Sequence, residues 1–218
     1  LGVKTFAFVQ DIFPTMPHLG YDISFSYIYS EWLRYTFKEA HTIFPTKSSL
    51  NAAIEYSDKH GLVRRPFGWV RSSHIPLDES GEDDQFIKFF RDNIVSVDDR
   101  FAFVIGTIEP RKNYRYLIDN ISLYLQNGGK LKFVIVASKG HDFSFFEDSL
   151  NSNEFFNNHI FWFEYISDAN LKFLYDAAFI YISTSLDEGF SLTVAEANSR
   201  GVKLVLSDIP VYRELYER

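Results

Sequence analysis

Glu188 and Glu196 frame the segment of this chain richest in potential chemistry. The first stands just before the apolar, amphipathic run of "DEGFSLTVAEANSRG" (187–201), and the second lies eight positions later inside it. If "TSLDEG" turns and a helix begins near Ser191, the first helical turn offers backbone N–H groups without intrahelical partners, an anion site. Gly189 then lets a phosphate come close, and the two carboxylates flank the site, each accepting hydrogen bonds from hydroxyls at one end of an elongated ligand. A glutamate near a helix start is also favoured by the macrodipole alone, so the pair together with the loop carries the reading.

Two further loops could contribute. In "GTIEPRKN" (106–113), Arg111 and Lys112 stand side by side where Pro110 stiffens the chain, a cation pair suited to phosphate oxygens. A solvated basic pair at a turn is the alternative. With one glycine, this loop is neither a G-x-G-x-x-G fingerprint nor a P-loop. In "EYISDANLKFLY" (164–175), Ser167 or Asp168 is expected to cap a helix. Backbone at Tyr165 and Ile166 could read the edge of a base, the alternative being a plain strand-to-helix turn.

These loops need a scaffold, and the sequence pattern predicts one. "FAFVIG" (101–106), "KFVIVA" (132–137), "IFWF" (160–163), "FIYIS" (179–183) and "KLVL" (203–206) read as strands covered on both faces. Helical stretches at about 114–127, 143–156, 168–177 and 190–199 separate most of them, which implies βαβ units and a parallel sheet. The clustered Phe of 143–156 is expected to be core, a partner surface being the alternative. Earlier, "TFAFVQ" (5–10) reads as a buried strand, 21–39 as a helix with Phe25, Ile28, Trp32, Leu33 and Phe37 on one side, "HTIFPT" as a strand, and 48–59 as a capped helix. Residues 62–84 read as loop and linker with one short strand near 62–67. Open parallel sheets bind ligands at the carboxyl ends of their strands, where all three loops fall.

Composition narrows the function classes. The chain has 218 residues, 46% hydrophobic, with 22 basic and 29 acidic side chains, a net charge of −7. It is a folded α/β protein whose charge disfavours a nucleic-acid backbone as partner. Without cysteine, disulfides, thiolate catalysis and Cys-based metal sites are excluded. The six histidines show no metal-ligand spacing, and no H-E-x-x-H is present. No apolar run reaches the ~18 residues of a membrane span. The expected location is cytoplasmic. The chain opens without methionine directly on a strand-like run and is expected to be an excerpt of something longer.

The E-x7-E pair with "SLDEGFSLTVAEANSRGVKLVLSDIPVYREL" resembles the donor-binding signature of retaining glycosyltransferases of family 4, two-domain enzymes of the GT-B fold. "VIGTIEPRKN" is similar to the loop that opens their C-terminal domain, and "ISDANLKFLYDAAFIYISTSL" fits the segment between. The likeness is continuous over about 101–218. "FVQDIFP" and "HTIFPTKSSLNAAIEY" resemble the second half of the family's acceptor domain, with no match to its first strands or its last helices. The resemblance implies a partial acceptor-side Rossmann-like domain over 1–97, linker included, and a nucleotide-sugar-binding Rossmann-like domain over 98–218, truncated at its end.

It further implies that Lys112, with Arg111, contacts the diphosphate of a nucleotide-sugar donor. Glu196 would hold the ribose hydroxyls, and Glu188, the catalytic candidate, hydroxyls of the transferred sugar. Gly189, Phe190 and the N–H groups near Ser191 and Leu192 would meet the phosphates, Tyr165 and Ile166 the base, and Asp11 would face the acceptor. Thr107 stands where many members carry arginine, Ser191 and Thr193 where glycine and proline are usual, and Gln10 where histidine is common. The expected activity is that of a retaining hexosyltransferase acting on a glycan or lipid-linked acceptor in cell-surface polysaccharide synthesis, without metal or other cofactor. Peripheral attachment to the inner face of the membrane is the alternative location. The rival function is a non-catalytic nucleotide-sugar-binding or regulatory module. A nicotinamide-dependent oxidoreductase is disfavoured by the missing glycine fingerprint.

Overall fold

The computed structural model describes residues 4–72, 83–96 and 99–216. In chain order the elements are β1 (Phe6–Phe8), α1 (Ile23–Glu39), β2 (His41–Phe44), α2 (Lys47–Lys59), β3 (Phe67–Trp69), α3 (Asp84–Asn93), β4 (Phe101–Thr107), α4 (Tyr114–Gln126), β5 (Lys132–Ser138), α5 (Phe143–Asn151), β6 (Ile160–Phe163), α6 (Asp168–Ala177), β7 (Ile180–Ser183), α7 (Leu192–Ser199), β8 (Lys203–Leu206) and α8 (Pro210–Tyr216). They form two compact units, each discontinuous in sequence. The first takes Leu1–Ser73, Leu186–Ser191 and Asp208–Arg218, and the second His74–Ser185 and Leu192–Ser207.

The second unit is a five-stranded parallel sheet in the order β6-β5-β4-β7-β8. Its central strands are apolar along their length because helices cover both faces. Ala102, Val104, Phe133, Ile135 and Ala137 of β4 and β5 pack with Leu117, Ile118, Ile121 and Leu125 of α4 and with Phe146 and Leu150 of α5. Elsewhere Phe103 meets Tyr175 edge-on at 5.0 Å and Tyr181 at 6.0 Å. Trp162 donates its indole N–H to the Ala137 carbonyl at 2.9 Å, which satisfies the polar end of a large half-buried ring. The chain lays down β4, β5 and β6 toward one edge and then returns to place β7 and β8 beyond β4. The topological switch point therefore lies between β4 and β7.

The first unit holds a three-stranded parallel sheet, β1-β2-β3. Val9, Ile12, Leu33, Phe37, Phe44 and Ala53 form its core, with Phe67 meeting Phe37 edge-on at 4.5 Å and Phe44 at 5.4 Å. Asp22 caps α1 by accepting from the Ser24 and Phe25 N–H groups, and the Thr46 hydroxyl caps α2 by accepting from Ser49 N–H at 3.1 Å.

Several expectations are corrected. The strand expected over 5–10 spans Phe6–Phe8 and is not buried: Phe6 and Phe8 are 63% and 57% exposed, because β1 is an edge strand and no described element covers its outward faces. On α1 only Leu33 and Phe37 of the expected stripe are buried, whereas Phe25, Ile28 and Trp32 are exposed. The short strand falls on 67–69, just after Pro66, whose missing N–H keeps it out of the ladder. The helix expected over 143–156 stops at Asn151, where an Asn/Ser-rich turn begins, and Asn157 sits at φ 62°. The helix expected from 190 starts at Leu192, because Ser191 has φ 65° and cannot be its first turn. Helices α3 and α8 lie where none is expected.

Candidate functional site

In the second unit, β4 ends at Thr107 and the chain makes a single 3₁₀ turn over Pro110–Lys112, which Pro110 opens with its fixed φ. Asn113, at φ 55°, redirects the chain into α4. Arg111 donates from Nε to Glu109 at 3.0 Å, an ion pair within the loop. The Lys112 stem lies across Gly106 at the strand end: a Cβ there would stand 3.3 Å from its Cε and 3.6 Å from Nζ. Just past β7, Thr184 donates its hydroxyl to the Lys112 carbonyl at 2.9 Å. That bond joins the loops leaving the two strands that bracket the switch point, and it fixes where the Lys112 backbone sits.

Glu196, half-buried on α7, accepts from the Tyr175 hydroxyl at 2.8 Å. Burial pushes the Tyr175 pKa far above its ordinary value, and the neighbouring Tyr181 and Glu196 add to the effect, so the hydroxyl keeps its proton and remains a donor. Behind it, Tyr181 donates to the Thr193 hydroxyl at 2.9 Å. After β6, Ser167 caps α6 by accepting from Asn170 N–H at 3.3 Å. Tyr165 is 81% exposed and Ile166 half-buried, which leaves both available to solvent on that loop.

The first unit receives Leu186–Ser191. Its turn is anchored where Thr46 and Ser49 donate their hydroxyls to the Gly189 carbonyl at 2.9 and 3.0 Å. The close approach expected at Gly189 is made by the chain itself, since a Cβ there would stand 2.3 Å from the Gln10 carbonyl oxygen. Glu188 is buried, at 5% exposure, and its N–H donates to Asp187 at 2.8 Å. Phe190 and Ser191 are buried as well, and Tyr212 donates its hydroxyl to Ser191 Oγ at 3.3 Å.

Asp11 accepts from Phe13 N–H at 3.2 Å through its side chain, and from the Tyr29 hydroxyl at 2.9 Å through its carbonyl. It lines a cleft of about 480 Å³ within this unit. Glu55, Asp187, Glu188 and Glu214 line the same cleft, with Lys47 as its basic group. Glu214 turns its carboxylate to the start of α2 and accepts from the Lys47 and Ser48 N–H groups at 2.9 and 2.7 Å. Hydroxyl donors and cations suit this cleft better than anions do.

The structure thus gathers Asp11, Glu188, Gly189, Phe190 and Ser191 in one unit, and Arg111, Lys112, Tyr165, Ile166, Leu192 and Glu196 in the other. Glu109, Tyr175, Thr184 and Glu214 were absent from the candidates drawn from sequence. An acid two residues before an arginine in a stiff loop could have flagged Glu109. Among the described residues, no group of three or more His, Cys, Asp or Glu side chains could hold a metal ion, and no helix is long and apolar enough to cross a membrane.

Against known proteins, the family of glycosyl transferases group 1 matches residues 85–217. A serotype-specific mannosyltransferase, WbdA of Escherichia coli, is 30% identical over 112 residues, which are 51% of this chain and 14% of that protein. The O-antigen chain mannosyltransferase B of Escherichia coli is 33% identical over 113 residues, 50% of this chain and 29% of that protein. The chain therefore spans well under half the length of these relatives. Among solved structures, Alr3699/HepE of Anabaena in complex with UDP-glucose superposes with a TM-score of 0.72 at 16% identity, covering 99% of this chain and 56% of that one. A UDP-forming α,α-trehalose-phosphate synthase from Burkholderia vietnamiensis gives 0.71 at 14%, covering 94% and 54%. The fold is the expected α/β, GT-B type.

Proposed function

The chain belongs to the group 1 glycosyl transferases, and on that premise we propose that it carries the donor site of a retaining hexosyltransferase of family 4. The reaction moves a sugar from a nucleoside-diphosphate sugar to a glycan or lipid-linked acceptor, in cell-surface polysaccharide synthesis. The mannosyltransferases among the relatives favour a mannosyl donor. The observation that carries the reading is the bond from Thr184 to the Lys112 carbonyl at the switch point between β4 and β7. It fixes a lysine at the carboxyl end of the sheet, where α/β folds of this kind take their ligands.

In this reading Lys112 stabilises the negative charge that grows on the departing diphosphate, and N–H groups at the start of α7 add to it. Such fixed donors need no metal ion and no reorganisation as the glycosidic bond breaks. Glu196 accepts hydrogen bonds from the ribose hydroxyls, and Tyr165 and Ile166 contact the base. Glu188 accepts from hydroxyls of the transferred sugar and Asp11 faces the acceptor, so the acid-rich cleft of the first unit would favour an uncharged, polyhydroxylated acceptor end. Peripheral attachment to the cytoplasmic face of the membrane would bring a lipid-linked acceptor within reach.

The test is a titration of the chain with UDP, GDP and ADP and with their sugar conjugates, repeated with Lys112→Ala and Glu196→Ala. Saturable binding of one nucleotide, weakened by both substitutions, supports the donor site and names its base. Binding that both variants retain in full assigns those residues to structure and rejects the proposed site.

A further inference from the structure

Two consecutive residues of α6, Tyr175 and Asp176, reach α7 and the residue just after it, Arg200. Tyr175 is 0% exposed, and its hydroxyl lies 2.8 Å from Glu196 Oε2 and 3.2 Å from the Thr193 carbonyl. Asp176, beside it, accepts from Arg200 at 2.8 Å and from Lys172 at 3.0 Å. The Tyr175 ring is held in turn, edge-on against Phe103 at 5.0 Å and stacked on Tyr181 at 6.0 Å with 30° between planes. A tyrosine locked this way has one place to put its hydroxyl. Its partner is a half-buried glutamate with three side-chain torsions, each of which costs entropy to fix.

We propose that Tyr175 is a positioning residue for Glu196: its buried hydroxyl holds the carboxylate in one rotamer and thereby sets the affinity for the ribose of the donor. The inference rests on the assignment of Glu196 to the ribose hydroxyls. Recognition of two neighbouring hydroxyls demands an acceptor fixed in direction as well as in charge, and preorganisation removes the entropy that binding would otherwise spend on ordering it. The raised Tyr175 pKa keeps the donor protonated across the working pH range.

The experiment measures, by calorimetry on the full chain, the affinities for UDP, GDP and ADP and for their 2′,3′-dideoxy forms. Wild type is expected to favour the ribonucleotide of its base. Glu196→Ala should erase that preference. Tyr175→Phe, which keeps the ring contacts, should weaken the ribonucleotide about tenfold and leave the dideoxynucleotide unchanged. Tyr181→Phe removes the neighbouring hydroxyl that donates to Thr193 and should preserve the preference, while melting curves of all variants report folding. If Glu196→Ala keeps the ribose preference, or if no nucleotide binds wild type, the donor-site assignment fails and this inference with it. If Glu196→Ala erases the preference but Tyr175→Phe retains it, or weakens both nucleotides equally, the assignment of Glu196 stands and the positioning role of Tyr175 is overturned.

Discussion

Replacing Gly189 with alanine adds one methyl group at a place where the structure leaves none. The new Cβ would stand 2.3 Å from the Gln10 carbonyl oxygen, 3.2 Å from its carbon and 3.4 Å from Asp11 Cβ, so the gap must open by about 0.7 Å to reach even 3.0 Å. The obstacle is backbone and cannot rotate away. The Gly189 carbonyl is held by the Thr46 and Ser49 hydroxyls, so displacement of the loop works against two hydrogen bonds. The residue is not among the positive-φ glycines, and alanine brings no conformational penalty of its own. Overpacking costs about 1–3 kcal/mol and a lost hydrogen bond about 1 kcal/mol, which gives about 2–4 kcal/mol. At about 2–4 °C per kcal/mol for a chain of this length, Tm should fall by about 5–15 °C. Gly68→Ala is the control: no atom lies within 4 Å of its Cβ position, and it should be neutral or slightly stabilising. The assay is thermal unfolding followed by circular dichroism. A Gly189→Ala chain melting within about 2 °C of wild type, as a surface substitution would, refutes the packing argument.

Four other outcomes can be checked. Ser191 at φ 65° should be better served by glycine than by alanine: both substitutions lose the contact from Tyr212, but only glycine relieves the backbone, so S191G should exceed S191A by about 1 kcal/mol in urea titrations. Glu214→Ala strips two N–H groups of α2 of their acceptor and should cost about 1 kcal/mol, read as a drop in Tm of about 2–4 °C. Gly106→Ala should leave Tm within about 2 °C of wild type, because a flexible side chain can yield, yet displace Lys112 and weaken nucleotide binding several-fold, to about one-third or less of the wild-type affinity. For Asp176, burial raises the pKa, but the hydrogen bonds from Arg200 and Lys172 outweigh it and the net shift is downward. The associated stability is present above the ordinary carboxylate value of 3.8 and lost as pH falls through the lower folded value. At 41% side-chain exposure it amounts to about 0.5 kcal/mol, so Asp176→Asn should destabilise at pH 7 and match wild type in acid.

The second unit was largely legible in the sequence because its strands are covered on both faces, and continuous apolar runs such as 132–137 or 160–163 leave little room for another reading. Ser167 announced α6 by the chemistry of its cap. The first unit was harder. Apolar content on α1 and β1 suggested burial, but Ile28 and Phe8 are exposed, and apolarity in a sequence does not say which face a neighbour covers. Helix α3 was hidden in a charged stretch, although Asp83 capping Phe86 N–H and the i, i+4 pair Phe86 and Phe90 mark it. Among the candidate site residues, spacing singled out Lys112, Glu188 and Glu196 but not the side chains hydrogen-bonded to Lys112 and Glu196. Thr184 lies 72 residues from Lys112 and Tyr175 lies 21 from Glu196, distances at which no local pattern survives. The left-handed turn at Ser191 was invisible in its residue type, since serine rarely adopts it.

The discontinuity of the first unit also has a consequence in time. Lys47 and Ser48 meet Glu214 across 167 and 166 residues, and Thr46 meets Gly189 across 143. A ribosome adding about 5–20 residues per second makes β1, β2 and α2 roughly 7–33 s before the segment that completes them. The five-stranded sheet has all its strands by Leu206, ahead of α8. During that interval the Thr46 and Ser49 hydroxyls and the first N–H groups of α2 lack the acceptors that the later segments bring. Slower translation between residues 60 and 210 should therefore lower the soluble yield, and Glu214→Ala should deepen the loss by removing the contact that ends the wait.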